Sequence, residues 1–225
     1  MAPGNLEEYA AAESVFELFA PRPVAALPTE KRALDVILSA VLIVCAVPLF
    51  LLVALAIKIV DGGPVLFWQR RVGQGGREFW FPKLRSMHVG AEKLHHTLLQ
   101  QNDHGKSITF KMKSDPRITG LGRLMRVSSL DELPQLWCVL KGDMSLVGPR
   151  PALPSEVLRY TPGQLRRLET KPGITGLWQV SGRSTIAFDG QMALDIEYLD
   201  RRNLRLDLNI LARTIRAVVS CQGAW

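Results

Sequence analysis

Val36-Ile-Leu-Ser-Ala-Val-Leu-Ile-Val-Cys-Ala-Val-Pro-Leu-Phe-Leu-Leu-Val-Ala-Leu-Ala-Ile57 is a run in which Ser39 is the only side chain with a polar oxygen. About 20 apolar residues suffice for a helix to cross the hydrocarbon core of a bilayer, so the run reads as a membrane helix. A buried core helix is the alternative. A secretory signal does not fit, because the run begins far from the N-terminus and no small-residue cleavage site follows. Lys31 and Arg32 precede the run and Lys58 closes it, and such side chains snorkel to headgroups. Pro48 lies near its middle, where it removes a backbone donor and crowds the preceding turn, so a kink is expected.

Both flanks are basic. Arg22, Lys31 and Arg32 lie before the run, and Arg70, Arg71, Arg77, Lys83 and Arg85 after it. The rule that positive flanks stay cytoplasmic therefore favours neither orientation of a simple span. A helix that enters, bends at Pro48 and leaves by the same face satisfies both flanks. A plain span with the N-terminal segment outside is the other reading. The chain divides accordingly into an N-terminal extension (1–30), a re-entrant membrane helix (31–60) and a cytoplasmic domain (61–225), to which the chemistry read below belongs.

Within the extension, Asn5 to Phe19 reads as a short helix, followed by a stretch carrying Pro21, Pro23 and Pro28. Beyond the membrane run, Val65 to Gln69 and Phe79 to Leu84 read as strands of a hairpin turned at Gly73, Gly75 and Gly76. Ala91 to Gln100 and Leu206 to Val219 read as helices. The fold class expected is α/β, mostly helical, with a short β-hairpin in a small domain seated on the membrane.

The formal charge of +7 and pI of about 9.6 suit nucleic acid, anionic lipid or phosphorylated substrates alike. Nucleic acid is disfavoured, since no basic cluster interleaved with aromatics and no nucleic-acid fold signature is present. Cys45, Cys138 and Cys221 are far apart and lack metal-ligand spacing, which fits a reducing compartment. His88, His95 and His96 have no Cys or carboxylate partners at ligand spacing, so they read as ordinary surface or core residues.

Chemistry concentrates in Arg126-Val-Ser-Ser-Leu-Asp-Glu-Leu-Pro-Gln-Leu-Trp137. Ser129 and Glu132 have capping-box spacing, which predicts a helix from about Leu130 to Leu140, ended by Gly142. Pro134 then falls in the first turn, where proline is tolerated. Asp131 and Glu132 would sit in that first turn, stabilised by the helix dipole. Acidic residues there are commonly helix starters and nothing more. Here they have basic company in Lys83, Arg85, Arg126 and Arg150, and a carboxylate among guanidinium groups and a divalent cation is equipped to attack a diphosphate.

From Lys31 to Trp225 the sequence resembles the bacterial sugar transferases, monotopic polyprenyl-phosphate phosphoglycosyl transferases of exopolysaccharide synthesis. The resemblance rests on Lys31-Arg-Ala-Leu-Asp35, Gln69-Arg-Arg-Val-Gly73, Lys83-Leu-Arg-Ser-Met87, Asp115-Pro-Arg-Ile-Thr119, Ser129-Leu-Asp-Glu-Leu-Pro-Gln135, Lys141-Gly-Asp-Met-Ser-Leu-Val-Gly-Pro-Arg-Pro151 and Pro172-Gly-Ile-Thr-Gly-Leu-Trp-Gln-Val-Ser-Gly-Arg183, in family order. It departs at Cys138, where Asn is usual, and at Leu84, where Phe is commoner.

The resemblance implies transfer of a hexose 1-phosphate from a UDP-sugar, UDP-galactose or UDP-glucose first, to undecaprenyl phosphate, with release of UMP. It implies Asp131 as nucleophile, Glu132 with Asp131 as ligands of Mg²⁺, and Lys83, Arg85, Arg126, Arg150 and Arg183 as phosphate or substrate binders. It also implies Pro48 as the break of a re-entrant helix, and the cytoplasmic face of the bacterial inner membrane as the location. An N-acetylated amino sugar in place of the hexose, or a membrane-tethered scaffold without activity, are the alternatives. A homodimer is left open.

Overall fold

The computed structural model describes residues 27–94 and 114–220, with residues 98, 108 and 112 between them. The first element is a single long helix, α1 (Thr29–Val60), which is continuous through Pro48. Its 32 residues have a contour length of about 48 Å at 1.5 Å per residue. It is the one helix among the described residues that is long and apolar enough to cross a membrane. Glu30 in its first turn and Lys58 in its last complement the helix dipole.

One stripe of α1 packs on the rest of the chain. Lys31, Asp35, Ser39, Val53 and Ile57 are buried, with Leu38, Ile43 and Phe50 partly so, and their spacing is that of a single helical face. The opposite face leaves Ile37, Val44, Leu52, Leu55 and Ile59 exposed, each by more than 60%. So large an unpartnered apolar surface is foreign to a water-soluble monomer.

The remaining elements form one compact body against that stripe. Strands β1 (Leu66–Val72) and β2 (Glu78–Leu84) pair antiparallel, with Leu66 opposite Leu84 and Val72 opposite Glu78. The turn between them holds Gly75 and Gly76 at positive φ, as the glycine spacing predicts. Both strands are longer than the sequence pattern indicates. Phe79 and Phe81 point into the core, while Trp80 faces out beneath the Arg70 guanidinium, 4.5 Å from its ring centre.

Helix α2 (Gly120–Val127) is capped by Thr119, whose hydroxyl accepts the Gly122 amide at 2.8 Å. Gly122 is required there: a Cβ would lie 1.9 Å from the Ser86 carbonyl oxygen.

The segment carrying Asp131 and Glu132 departs from the helix its spacing predicts. Ser129 has φ 57 and makes no side-chain cap, so there is no capping box. Residues Leu130–Gln135 form a 3₁₀ turn, and the α-helix proper, α3 (Leu136–Lys141), begins only after it. Pro134 has no N–H to enter an α-helical ladder, which keeps the turn from regularising. Gly142, at φ 94, ends α3 as expected, its amide bonding to the Cys138 carbonyl at 3.0 Å.

The chain then runs through β3 (Ser145–Val147), the short helices α4 (Pro154–Val157) and α5 (Pro162–Leu165), and β4 (Gly173–Thr175). Strands β3 and β4 pair in parallel. Two helices, α6 (Phe188–Arg201) and α7 (Leu204–Ser220), complete the body, the latter starting two residues earlier than its apolar spacing indicates. Of the helix read over Ala91 to Gln100, a 3₁₀ turn at Ala91–Leu94 is described and the rest lies mostly outside the described residues, as does the helix read over Asn5 to Phe19.

The polar base of α1 is bonded into this body. Arg32 donates to the carbonyls of Val139 and Leu140 at 2.7 and 2.8 Å, at the open end of α3. Asp35 accepts from Ser145 Oγ and the Leu146 amide at 3.1 and 2.9 Å. Lys31 meets Asp207 of α7 at 2.5 Å, and Tyr198 of α6 donates to the other oxygen of Asp207 at 2.8 Å. Lys31, Asp35 and Asp207 are nearly inaccessible to water, so each depends on its partner.

Candidate active site

Asp131 and Glu132 stand on the 3₁₀ turn against β2, and β2 supplies the cation between them. Lys83 Nζ lies 3.1 Å from Glu132 Oε1 and 3.5 Å from Asp131 Oδ2. Arg150, from the Gly-Pro-Arg-Pro segment after β3, approaches the same Glu132 oxygen at 3.5 Å. Thus two stretches far apart in sequence converge on two adjacent carboxylates.

The two carboxylates are placed in different electrostatic states. Burial works against ionisation of Glu132, but Lys83 and then Arg150 outweigh it and hold its pKa at about 2. Burial pushes the pKa of Asp131 up, and the Glu132 charge adds to this, against the pull of Lys83 and Arg126. Glu132 is thereby a fixed anion. Asp131 is weakly solvated, and its carboxylate is more basic than that of an ordinary aspartate, which favours it as a nucleophile.

Arg126 is on α2, its Nε donating to Ser86 Oγ at 2.9 Å, and burial lowers its pKa. Arg183 is in the left-handed region at φ 52, and its buried Nη1 has no hydrogen-bond partner. A non-glycine residue held there costs on the order of 1–3 kcal/mol, a strain often found where a side chain must be aimed. Arg85 is more peripheral, its Nε donating to the Pro64 carbonyl at 2.8 Å. All five basic residues picked out in the sequence line one cavity of about 1420 Å³ together with Asp131 and Glu132.

Several contributors carry no isolated sequence signal. Arg71 is buried beside the site and donates to the Pro151 carbonyl at 3.1 Å. Burial and then the Arg150 charge lower its pKa to about 10. Arg167 is buried too, donating to the Arg150 carbonyl at 2.7 Å and to Tyr160 Oη at 2.7 Å, and pairing with Asp195 at 2.7 Å. It holds the backbone from which the Arg150 side chain reaches Glu132. Arg71 lies in a motif quoted for the resemblance, but Arg167, Tyr160 and Asp195 are joined only by the fold.

Among the described residues no group of three or more His, Cys, Asp or Glu side chains gathers at metal-binding distances. Two adjacent carboxylates, one held ionised, are still a suitable partial shell for Mg²⁺, which takes one or two carboxylates and completes its octahedron with water and substrate phosphate. The residues that would hold it are Glu132 and Asp131.

Identity is 45% to the galactosyl transferase CpsE of Streptococcus agalactiae, covering 86% of this chain and 43% of that protein. It is 42% to the undecaprenyl-phosphate galactose phosphotransferase of Salmonella typhimurium, covering 87% and 41%. It is 39% to the UDP-glucose:undecaprenyl-phosphate glucose-1-phosphate transferase of Caulobacter vibrioides, covering 91% and 75%. The chain thus spans less than half the length of the first two relatives. With residues 27–221 matching the family profile, a stretch that holds the carboxylate pair, its cations and α1 together, the chain belongs to the bacterial sugar transferase family.

Proposed function

We propose that the chain is a phosphoglycosyl transferase, moving a hexose 1-phosphate from a UDP-sugar to undecaprenyl phosphate and releasing UMP. The observation that carries this is the Asp131–Glu132–Lys83–Arg150 cluster on the wall of the large cavity. In the first step an Asp131 oxygen bonds to the β-phosphorus of the donor. The bond from that phosphorus to the bridging oxygen breaks, and the electron pair leaves with UMP. In the second step an oxygen of undecaprenyl phosphate bonds to the same phosphorus, and the phosphorus–Asp131 bond breaks to restore the carboxylate. The bond between the sugar's C1 and its oxygen is untouched, so the anomeric configuration is kept.

Lys83, Arg126, Arg150 and Arg183 offset phosphate charge, and Glu132, ionised throughout, keeps Lys83 and Arg150 aimed at the site. Mg²⁺, when bound at Glu132 and Asp131, supplies further neutralisation of the phosphoryl oxygens. Galactose and glucose, the sugars in the names of the relatives, are the first donors to test.

We place the catalytic body on the cytoplasmic face of the inner membrane, with α1 entering and leaving by that face. Support comes from the two ends of α1. Lys31 and Asp35 at one end, and Val53 and Ile57 at the other, are buried in the same body. A span perpendicular to the membrane would separate those ends by the roughly 30 Å hydrocarbon core and draw the body into it.

The test is the half-reaction. Wild-type protein with UDP-sugar and Mg²⁺, without acceptor, should release UMP and gain the mass of a phosphohexose. Asp131→Asn should lose both, with turnover reduced by about 10⁴-fold or more, the scale seen when a covalent nucleophile is removed. A folded Asp131→Asn protein turning over at the wild-type rate would refute the assignment.

A further inference from the structure

Lys83 and Arg150 contact the carboxylate pair directly, whereas Arg126 acts on Asp131 only at longer range. Among the described residues the Arg126 guanidinium makes a single hydrogen bond, from Nε to Ser86 Oγ at 2.9 Å, and that oxygen has no other partner. A guanidinium carries five N–H donors in a planar fork. With the Nε–H spent on Ser86, the edge left open is the pair of Nη groups at the tip, and Arg126 lines the cavity that holds Asp131. Such a pair matches two oxygens of one phosphoryl group.

Ser86 is suited to hold that fork because it is itself held. It is only 7% exposed, and the Thr119 amide donates to its carbonyl oxygen at 3.1 Å. Thr119 caps α2, and Gly122 lacks the Cβ that would collide with the same oxygen. Beside Ser86, Met87 forms an antiparallel bridge with Ile118. Thr119, Gly122 and Arg126 follow one another at intervals of three and four residues, which places them on one face of α2. One residue therefore registers the helix twice, through its carbonyl at the N-terminus and through its hydroxyl two turns later. Lys83 precedes Ser86 by three positions. The segment from Lys83 to Ser86 thus sets both cations around Asp131, one directly and one through a hydroxyl.

A tether is needed there because Arg126 has competing attractions. Asp131 and Asp115 both draw it, while Arg117 and Arg150 repel it. Asp115 is already paired with Arg117 at 2.6 Å, so a swing of Arg126 towards it would leave Asp131 and bring two guanidinium groups together. We propose that Ser86 is a positioning residue for phosphoryl transfer: its hydroxyl holds Arg126 by Nε, so that both Nη groups meet the phosphoryl oxygens of the donor beside Asp131. This rests on the transferase reading above. Ser86 contributes no contact to the donor, and its effect passes entirely through Arg126.

The test is a double-mutant cycle on the full-length protein, read by affinity for UDP in the presence of Mg²⁺. Ser86→Ala deletes the hydroxyl but leaves the backbone contacts with Thr119 and Gly122, so Tm should stay at the wild-type value. It should weaken UDP binding at least fivefold in the wild-type background and less than twofold in an Arg126→Ala background, where there is no guanidinium to aim. In an Arg150→Ala background the fivefold loss should persist. UMP release from UDP-galactose or UDP-glucose without acceptor should slow at least fivefold in Ser86→Ala, and Ser86→Thr, which keeps the oxygen, should stay within threefold of the wild type. A Ser86→Ala loss that is undiminished in Arg126→Ala protein overturns the proposal, because the hydroxyl would then act on the ligand or the fold directly. Wild-type UDP affinity in Ser86→Ala, or a Ser86→Thr protein as slow as Ser86→Ala, overturns it as well. Wild-type protein that releases no UMP counts instead against the transferase reading, and the UDP cycle still decides the role of Ser86.

Discussion

Lys83→Met is the most informative single change, because Lys83 serves two carboxylates at once. At 3.5 Å the attraction between its ammonium and Asp131 is about 5 kcal/mol for an effective dielectric of 20. Lys83 is about one-fifth exposed, so solvent screens part of this, and Arg126 continues to favour the Asp131 anion. With about 1.4 kcal/mol per pKa unit, the part of this attraction that survives screening is still large enough to displace a titration. The direction follows from charge. Without Lys83 the Asp131 anion is less favoured, so its pKa rises further, and the nucleophile protonates at a higher pH than in the wild type. The acid limb of the pH–rate profile for UMP release should therefore move upward. The assay is donor-only UMP release at saturating UDP-sugar and Mg²⁺ from pH 5 to 9. If Lys83 only grips phosphate, KM for the donor rises and the limb stays in place. An acid limb at the wild-type position in a folded Lys83→Met protein refutes the reasoning.

Other outcomes follow from the same contacts. EDTA should abolish activity and added Mg²⁺ should restore it, and Glu132→Gln should be severely impaired yet partly rescued at high Mg²⁺; a rate indifferent to chelation would remove the metal from Glu132. Arg167→Lys retains charge but cannot bond Arg150, Tyr160 and Asp195 together, so donor KM should rise about tenfold, whereas a Tyr160→Phe change should cost less than threefold; equal effects would mean Arg167 acts through general stability alone. Cysteines placed at Thr29 and at Asp61 should both resist an impermeant reagent added outside intact cells, and labelling of either one excludes the re-entrant arrangement.

The long apolar helix was legible because its signal is local: an unbroken apolar run needs no knowledge of the rest of the chain. Its start was less so. Lys31, Arg32 and Asp35 are polar, and they join the helix because α3, β3 and α7 supply partners that lie more than 100 residues away. The hairpin was visible through its glycines. Strands β3 and β4 are three residues each and buried, too short to display alternation. The capping-box reading failed because the Ser-x-x-Glu pattern is the same whether the serine is extended or, as here, left-handed. Asp131, Glu132 and the basic residues around them were found by composition and resemblance. Arg167 and Asp195, 28 positions apart, acquire meaning only once α6 folds back beside the Arg150 loop.

The ion pair between Lys31 and Asp207 also has a consequence for biogenesis. The two residues are separated by 176 positions, so α1 leaves the ribosome long before its counter-charge has been synthesised. Until α7 emerges, the base of the apolar helix carries an ammonium whose buried seat does not yet exist, and that ammonium is free to remain among lipid headgroups. Docking of α7 then draws it under cover. Insertion of the helix and closure of the catalytic body are in this way successive events, and a nascent chain that stalls ahead of Asp207 leaves a membrane-bound segment with its base unanchored.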